Sequence, residues 1–158
     1  MRRAMEVLIA GLIVTTTVLG AWNAAAIARI EPCLLTPADI EDAIGIEVEQ
    51  EFEGLAECSY VSESGEAGEA ASVRIQLSEN ESKKDATRTY KDQRFLVTRT
   101  ERVDDVGNAA FYSFDLGDMV VFRKGTTVVS LGLLIFGEEL DPHRDEVIAL
   151  AQAAADKL

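Results

Sequence analysis

Met119-Val120-Val121-Phe122-Arg123-Lys124-Gly125-Thr126-Thr127-Val128-Val129-Ser130-Leu131-Gly132-Leu133-Leu134-Ile135 reads as a β-hairpin in one continuous stretch. Two runs rich in β-branched and aromatic side chains flank Lys124-Gly125. Gly125 can supply the positive φ that a tight hairpin turn wants. The second run is apolar almost throughout, from Val128 to Ile135, which predicts a strand at the centre of a sheet covered on both sides.

Working back from this hairpin, Ala109–Phe114 reads as the preceding strand, joined through the turn Asp115-Leu116-Gly117-Asp118. Val97–Val103 reads as one more, before the turn Asp104-Asp105-Val106-Gly107. Further back, Val73, Ile75 and Leu77 alternate with Arg74 and Gln76, and Glu57–Val61 is a compact strand. Ser62–Ala70 lacks large apolar groups and reads as a loop. In Ile46–Phe52, Ile46, Val48 and Phe52 interleave with Glu47, Glu49, Glu51 and Glu53, which predicts a strand with one buried and one wet face.

Three helices complete the pattern. Thr36-Pro37-Ala38-Asp39 has an N-cap, a proline at the first helical position and a capping-box acid, and Gly45 can end that helix. Ser82 opens a polar helix running to about Phe95, with Ala86, Tyr90 and Phe95 or Leu96 as core candidates. Asp141-Pro142 opens the last, in which Val147, Leu150, Ala151, Ala154 and Leu158 form an amphipathic stripe. The fold class is therefore α+β: a single domain in which an antiparallel sheet is packed by a short N-terminal helix, a middle helix and a C-terminal amphipathic helix.

The chain begins with Arg2 and Arg3, an apolar run from Val7 to Trp22, and small residues at Ala24-Ala25-Ala26. That layout predicts a signal peptide over residues 1–26, or an N-terminal membrane anchor if it is not cleaved. Residues 27–32 then read as a linker and 33–158 as an extracytoplasmic domain. Ile30-Glu31-Pro32 before Cys33 does not suit a lipidation site. In an oxidising compartment the chain's two cysteines, Cys33 and Cys58, form a disulfide. Their spacing is far from Cys-x-x-Cys, and with a single histidine no zinc set can be assembled.

The formal charge of the 158 residues is −13. That balance argues against nucleic acid as a partner, because phosphate binding needs a basic patch. It also opposes adsorption to an anionic membrane, so membrane contact is expected only through an uncleaved N-terminal segment.

Few side chains suggest chemistry. His143 follows Pro142 at the start of the last helix, with Asp145 close by, and no Gly-x-Ser-x-Gly elbow supplies a nucleophile. No phosphate loop, dinucleotide fingerprint or calcium-binding EF-hand is present, so no catalytic residue, metal ligand or cofactor is assigned. Glu47, Glu49, Glu51 and Glu53 form the most unusual local feature. On a regular strand they share a face, as an interaction stripe for a basic partner or a cation, or as the charged wet side of an edge strand.

Several of these stretches together resemble the domain-of-unknown-function 3558 family of exported, often lipid-anchored bacterial proteins. They are Cys33-Leu34-Leu35-Thr36-Pro37-Ala38-Asp39-Ile40 with Gly45, Cys58-Ser59-Tyr60, Val106-Gly107-Asn108-Ala109-Ala110-Phe111, the Val120–Gly125 hairpin with Val128-Val129, and the alanine-rich terminal helix. The resemblance covers Cys33–Leu158. It implies a single extracytoplasmic α+β domain with a Cys–Cys bridge and carries over no catalytic residues; the lipidation cysteine of many such proteins is missing here.

Two functions stand against each other. One is a non-catalytic binding or accessory domain of the cell envelope, with a protein or small-molecule partner and a default site in a cleft between sheet and terminal helix. The other is a secreted hydrolase or metal-binding protein using acidic residues, which needs carboxylates converging in a concave site.

Overall fold

A computed structural model describes residues 30–62, 70–115, 117–136 and 143–158. Seven strands form one antiparallel sheet: β1 Glu49–Glu53, β2 Glu57–Val61, β3 Ala70–Glu79, β4 Thr100–Val103, β5 Ala109–Ser113, β6 Asp118–Lys124 and β7 Thr127–Phe136. Their spatial order is β1-β2-β3-β7-β6-β5-β4. The chain builds one half by hairpins, crosses over through a helix, and returns so that β7 pairs with β3 at the centre. The helices are α1 Pro37–Ile44, α2 Lys83–Phe95 and α3 Arg144–Asp156.

Alternation along the strands divides the side chains between two faces. On the first, Cys58, Tyr60, Val73, Ile75, Val120, Phe122, Val129 and Leu131 are buried with Ile40 of α1 and Val147, Leu150, Ala151 and Ala154 of α3. The whole apolar side of α3 is spent on this core, so the space between sheet and terminal helix is filled by side chains. The second face is covered in part: Ala86 and Tyr90 of α2 pack on Phe111, Val121 and Val128. The Tyr90 and Phe111 rings lie 5.4 Å apart.

α1 forms where its caps predict. Thr36 accepts the amide of Asp39, Asp39 accepts the amide and hydroxyl of Thr36, and Gly45 closes the helix at φ 72°. Asp39 also accepts from Lys157, just past the end of α3, tying the two helices together. Lys157 foremost, then the Thr36 donors, hold the Asp39 carboxyl down at about 2 from 3.8. A depressed carboxyl stabilises the fold above its unfolded pKa and loses that contribution as the pH falls through the folded value. Asp39→Ala should therefore cost about 1 kcal/mol at neutral pH. The gap between variant and wild type should close as the pH drops from about 4 to 2, which urea titrations across that range would measure.

Cys33 and Cys58 are bonded, with Cα atoms 5.1 Å apart across 25 positions of sequence. The bridge joins the segment before α1 to the buried side of β2, where the Tyr60 hydroxyl donates to the Leu35 carbonyl. Residues 30–32, expected as linker, lie against the domain: Ile30 packs on the core, its amide donates to Glu79 at 2.9 Å, and Pro32 is buried.

Several expected boundaries move. The first strand starts at Glu49 and not Ile46, and every residue of β1 is exposed, Phe52 included. The strand expected over Val97–Val103 is paired only from Thr100. Ala70 belongs to β3, while residues 63–69 of the expected loop and the Asp141-Pro142 start of the last helix lie outside the described residues. Phe95 and Leu96 do not join the core; they are 90% and 82% exposed. Helical geometry explains this. Five residues beyond Tyr90, Phe95 has turned about 140° away from the buried side, and the inward positions fall to Gln93 and Val97.

Candidate functional site

The cover over the second face stops at a definite line. Gln93 of α2 accepts the Ser130 hydroxyl at 3.1 Å, and beyond Ser130 the sheet lies open towards β1. Continuous pairing sets out the open rows. Arg74 of β3, Gly132 of β7 and Met119 of β6 lie side by side, with the buried Ser59 of β2 continuing the row. One row over stand Val61, Ser72 and Leu134; in the other direction come Glu57, Gln76 and Ser130.

Gly132 forms the floor. Glycine inside a strand weakens it, and it marks a bulge, a bend, or a place where another molecule comes close to the backbone. Here the register runs unbroken through Gly132 on both sides, so no bulge explains it. A Cβ at this position would meet nothing within 4 Å, so no neighbour in the fold requires glycine there. Gly132, Met119, Leu134, Ser72, Arg74 and Gln76 line a hollow of about 470 Å³. Its rim is mixed: Leu134 is 46% exposed, the Arg74 guanidinium pairs with Glu57 at 3.0 Å, and Gln76 donates to the same glutamate.

The glutamate row does not keep a common face. Gln50 pairs opposite Tyr60 and Phe52 opposite Ser59, so a bulge lies between them. It flips the parity of everything after it. Glu49, Glu51 and Phe52 fall on the open face, where Ser59 donates to Glu51 at 3.4 Å. Glu53 falls on the other face, opposite Cys58, and takes the Gln50 amide at 3.2 Å. Glu47 precedes the strand. Two of the four acids thus border the open face beside an aromatic ring 52% exposed. Among the described residues no group of three His, Cys, Asp or Glu side chains converges as a metal site.

Two other clusters have structural work. Asp118 accepts the Tyr112 hydroxyl and the His143 amide, so the start of α3 is fastened to β5 and β6. Burial and the Asp118 carboxylate push the Tyr112 hydroxyl pKa up. Arg144 bonds Glu101 and Asp145, with its guanidinium 5.9 Å from the centre of the Tyr112 ring. The His143 imidazole lies 3.9 Å from Glu146. The acid expected near this histidine, Asp145, pairs with Arg144, and Asp118, at the start of β6, anchors the backbone at the entry of α3. The second cluster surrounds a hollow of about 280 Å³ between α2 and the turn at 104–108. Arg94 and Arg102 line it together with Asp104 and Asp105, and Arg102 bridges Asp104 at 2.9 Å, so its charges largely cancel.

The sequence singles out Glu49 and Glu51 on this face, but not Gly132 or the residues around it. The available signal was one glycine inside an otherwise apolar strand. No family model, curated protein or solved structure matches the chain.

Proposed function

We propose that the chain is a non-catalytic binding domain, exported to the cell envelope or beyond, whose partner is a protein seated on the open sheet face over Gly132. The observation that carries this reading is the glycine itself: a central-strand residue with no side chain, no bulge and empty space above it. The hollow lies on an open sheet face, with Leu134 and Met119 set among polar groups, and Phe52 stands farther out on the same face, on β1. Protein interfaces have such an apolar centre and polar surround, whereas small-molecule sites enclose most of their ligand. Among the described residues, Glu49, Glu51 and Glu57 border the same open face against one cation, Arg74, which suits a partner that brings basic side chains. Export is supported by the leader-like first 26 residues, the disulfide and the family resemblance. Among the described residues no helix is long and apolar enough to cross a membrane.

A photo-crosslinking residue at Leu134, in the cells that make the protein, tests the reading. One discrete protein adduct is expected from that position and none from Glu41, an exposed residue of α1. Gly132→Phe in the same chain should cut the adduct by about tenfold or more. Its unfolding free energy should change by no more than about 1 kcal/mol, since the ring enters open space. An adduct that ignores Gly132→Phe, or that forms equally from Glu41, rules the face out.

A further inference from the structure

The acidic chain segregates its cations. Although 28 acids face 15 lysines and arginines overall, seven basic residues stand against three acids between Lys83 and Arg102. Lys84, Arg88, Lys91 and Phe95 recur at i, i+4, i+7 and i+11 of α2, so they share its outward side, and all four are exposed. No described carboxylate forms an ion pair with Lys84, Arg88, Lys91 or Arg94. Of the two acids on α2, Asp85 is engaged by the Ser82 cap and Asp92 remains, while Asp104 and Asp105 share their hollow with Arg94 and not with Lys84, Arg88 or Lys91. At the end of the stripe stand Phe95 and Leu96, 90% and 82% exposed, followed by Arg99.

We propose that α2 docks the domain on an anionic lipid surface. Phe95 and Leu96 enter the boundary between headgroups and acyl chains, and Lys84, Arg88, Lys91 and Arg99 engage headgroup phosphates. Exposed apolar side chains at the tip of a basic stripe fit the two signals that stable surface attachment needs, burial and charge. Phosphates alone would satisfy the cations but leave the phenyl and isobutyl groups in water; an anionic lipid surface takes both. The net charge of −13 opposes approach from a distance. Screening confines that repulsion to about 8 Å at physiological salt, so the surface in contact decides. This attachment is separate from any provided by residues 1–26, and it does not depend on the Gly132 face.

Because both native cysteines are bonded, Leu96→Cys offers one thiol for an environment-sensitive fluorophore. The full chain is mixed with phosphatidylcholine vesicles and with vesicles that also contain phosphatidylglycerol; any contribution of the N-terminal segment is common to every arm. A blue shift is expected with the anionic vesicles only, reversed by high salt. Neutralising Lys84, Arg88 and Lys91 to glutamine should weaken it about a hundredfold, at about fivefold per charge. These side chains are exposed, so the thermal midpoint should stay put. The proposal is overturned if the probe does not shift, shifts equally on both vesicles, ignores the triple variant, or responds to duplex DNA or polyglutamate and not to lipid.

Discussion

Phe122→Ala is expected to lower the unfolding free energy by about 3–5 kcal/mol, the range for deleting a buried aromatic ring. Phe122 is fully buried on β6, on the face that α3 covers, and lies opposite Ala110 of β5 and Val129 of β7. Its strand neighbours are small or fixed by pairing, so the sheet cannot collapse into the space left behind. Phe122 belongs to the same buried cluster as Val147, Leu150 and Ala151 of α3. Against a typical stability of about 5–15 kcal/mol, the variant stands near the edge of folding. Urea titration should show a lower midpoint with an unchanged slope. A loss under about 1 kcal/mol would mean that α3 does not depend on this face of the sheet.

Removing the disulfide should have an effect of similar size. The bond closes a loop across 25 positions, which in the chain-entropy model is worth about 3 kcal/mol. Cys33→Ser with Cys58→Ala keeps the buried position free of an unpaired hydroxyl, because Cys58 has no exposed surface. The wild type with reductant should unfold at the same urea concentration as the double variant. The first element to loosen should be α1 with residues 30–35, seen as faster amide exchange there before the β3–β7 centre gives way. If the double variant unfolds with the oxidised wild type, the bridge contributes nothing to this fold.

The parts of the fold that could be read in advance are those set by local chemistry. Thr36, Pro37, Asp39 and Gly45 specify α1 because each answers a need of a helix end. Gly125 at φ 60° closes the central hairpin as expected. The misses are set by partners distant in sequence. Nothing in Glu49-Gln50-Glu51-Phe52-Glu53 announces a bulge; it arises from how β1 pairs with β2, and it sends Glu53 to the face opposite Glu49. The apolar run Val128–Ile135 was read as covered on both sides. α2 covers Val128 and ends its reach at Ser130, leaving Leu134 in the open. Apolar character alone does not record which part of a strand a helix reaches. For the same reason Gly132 reads as part of a strand and not as the floor of a hollow, whereas the exposure of Phe95 follows from local helical geometry, five residues past Tyr90.

The functional reading begins with export, and the intact mass of the protein taken from the cells that make it tests that step most directly. Measured without reductant and after exposure to an alkylating agent, the extracytoplasmic protein should lie about 2 Da below its dithiol form and carry no alkyl group. Residues 1–26 should be absent, or present only in the membrane fraction. A protein found in the cytosol at the mass of the whole chain, with alkyl groups on both Cys33 and Cys58, would contradict it.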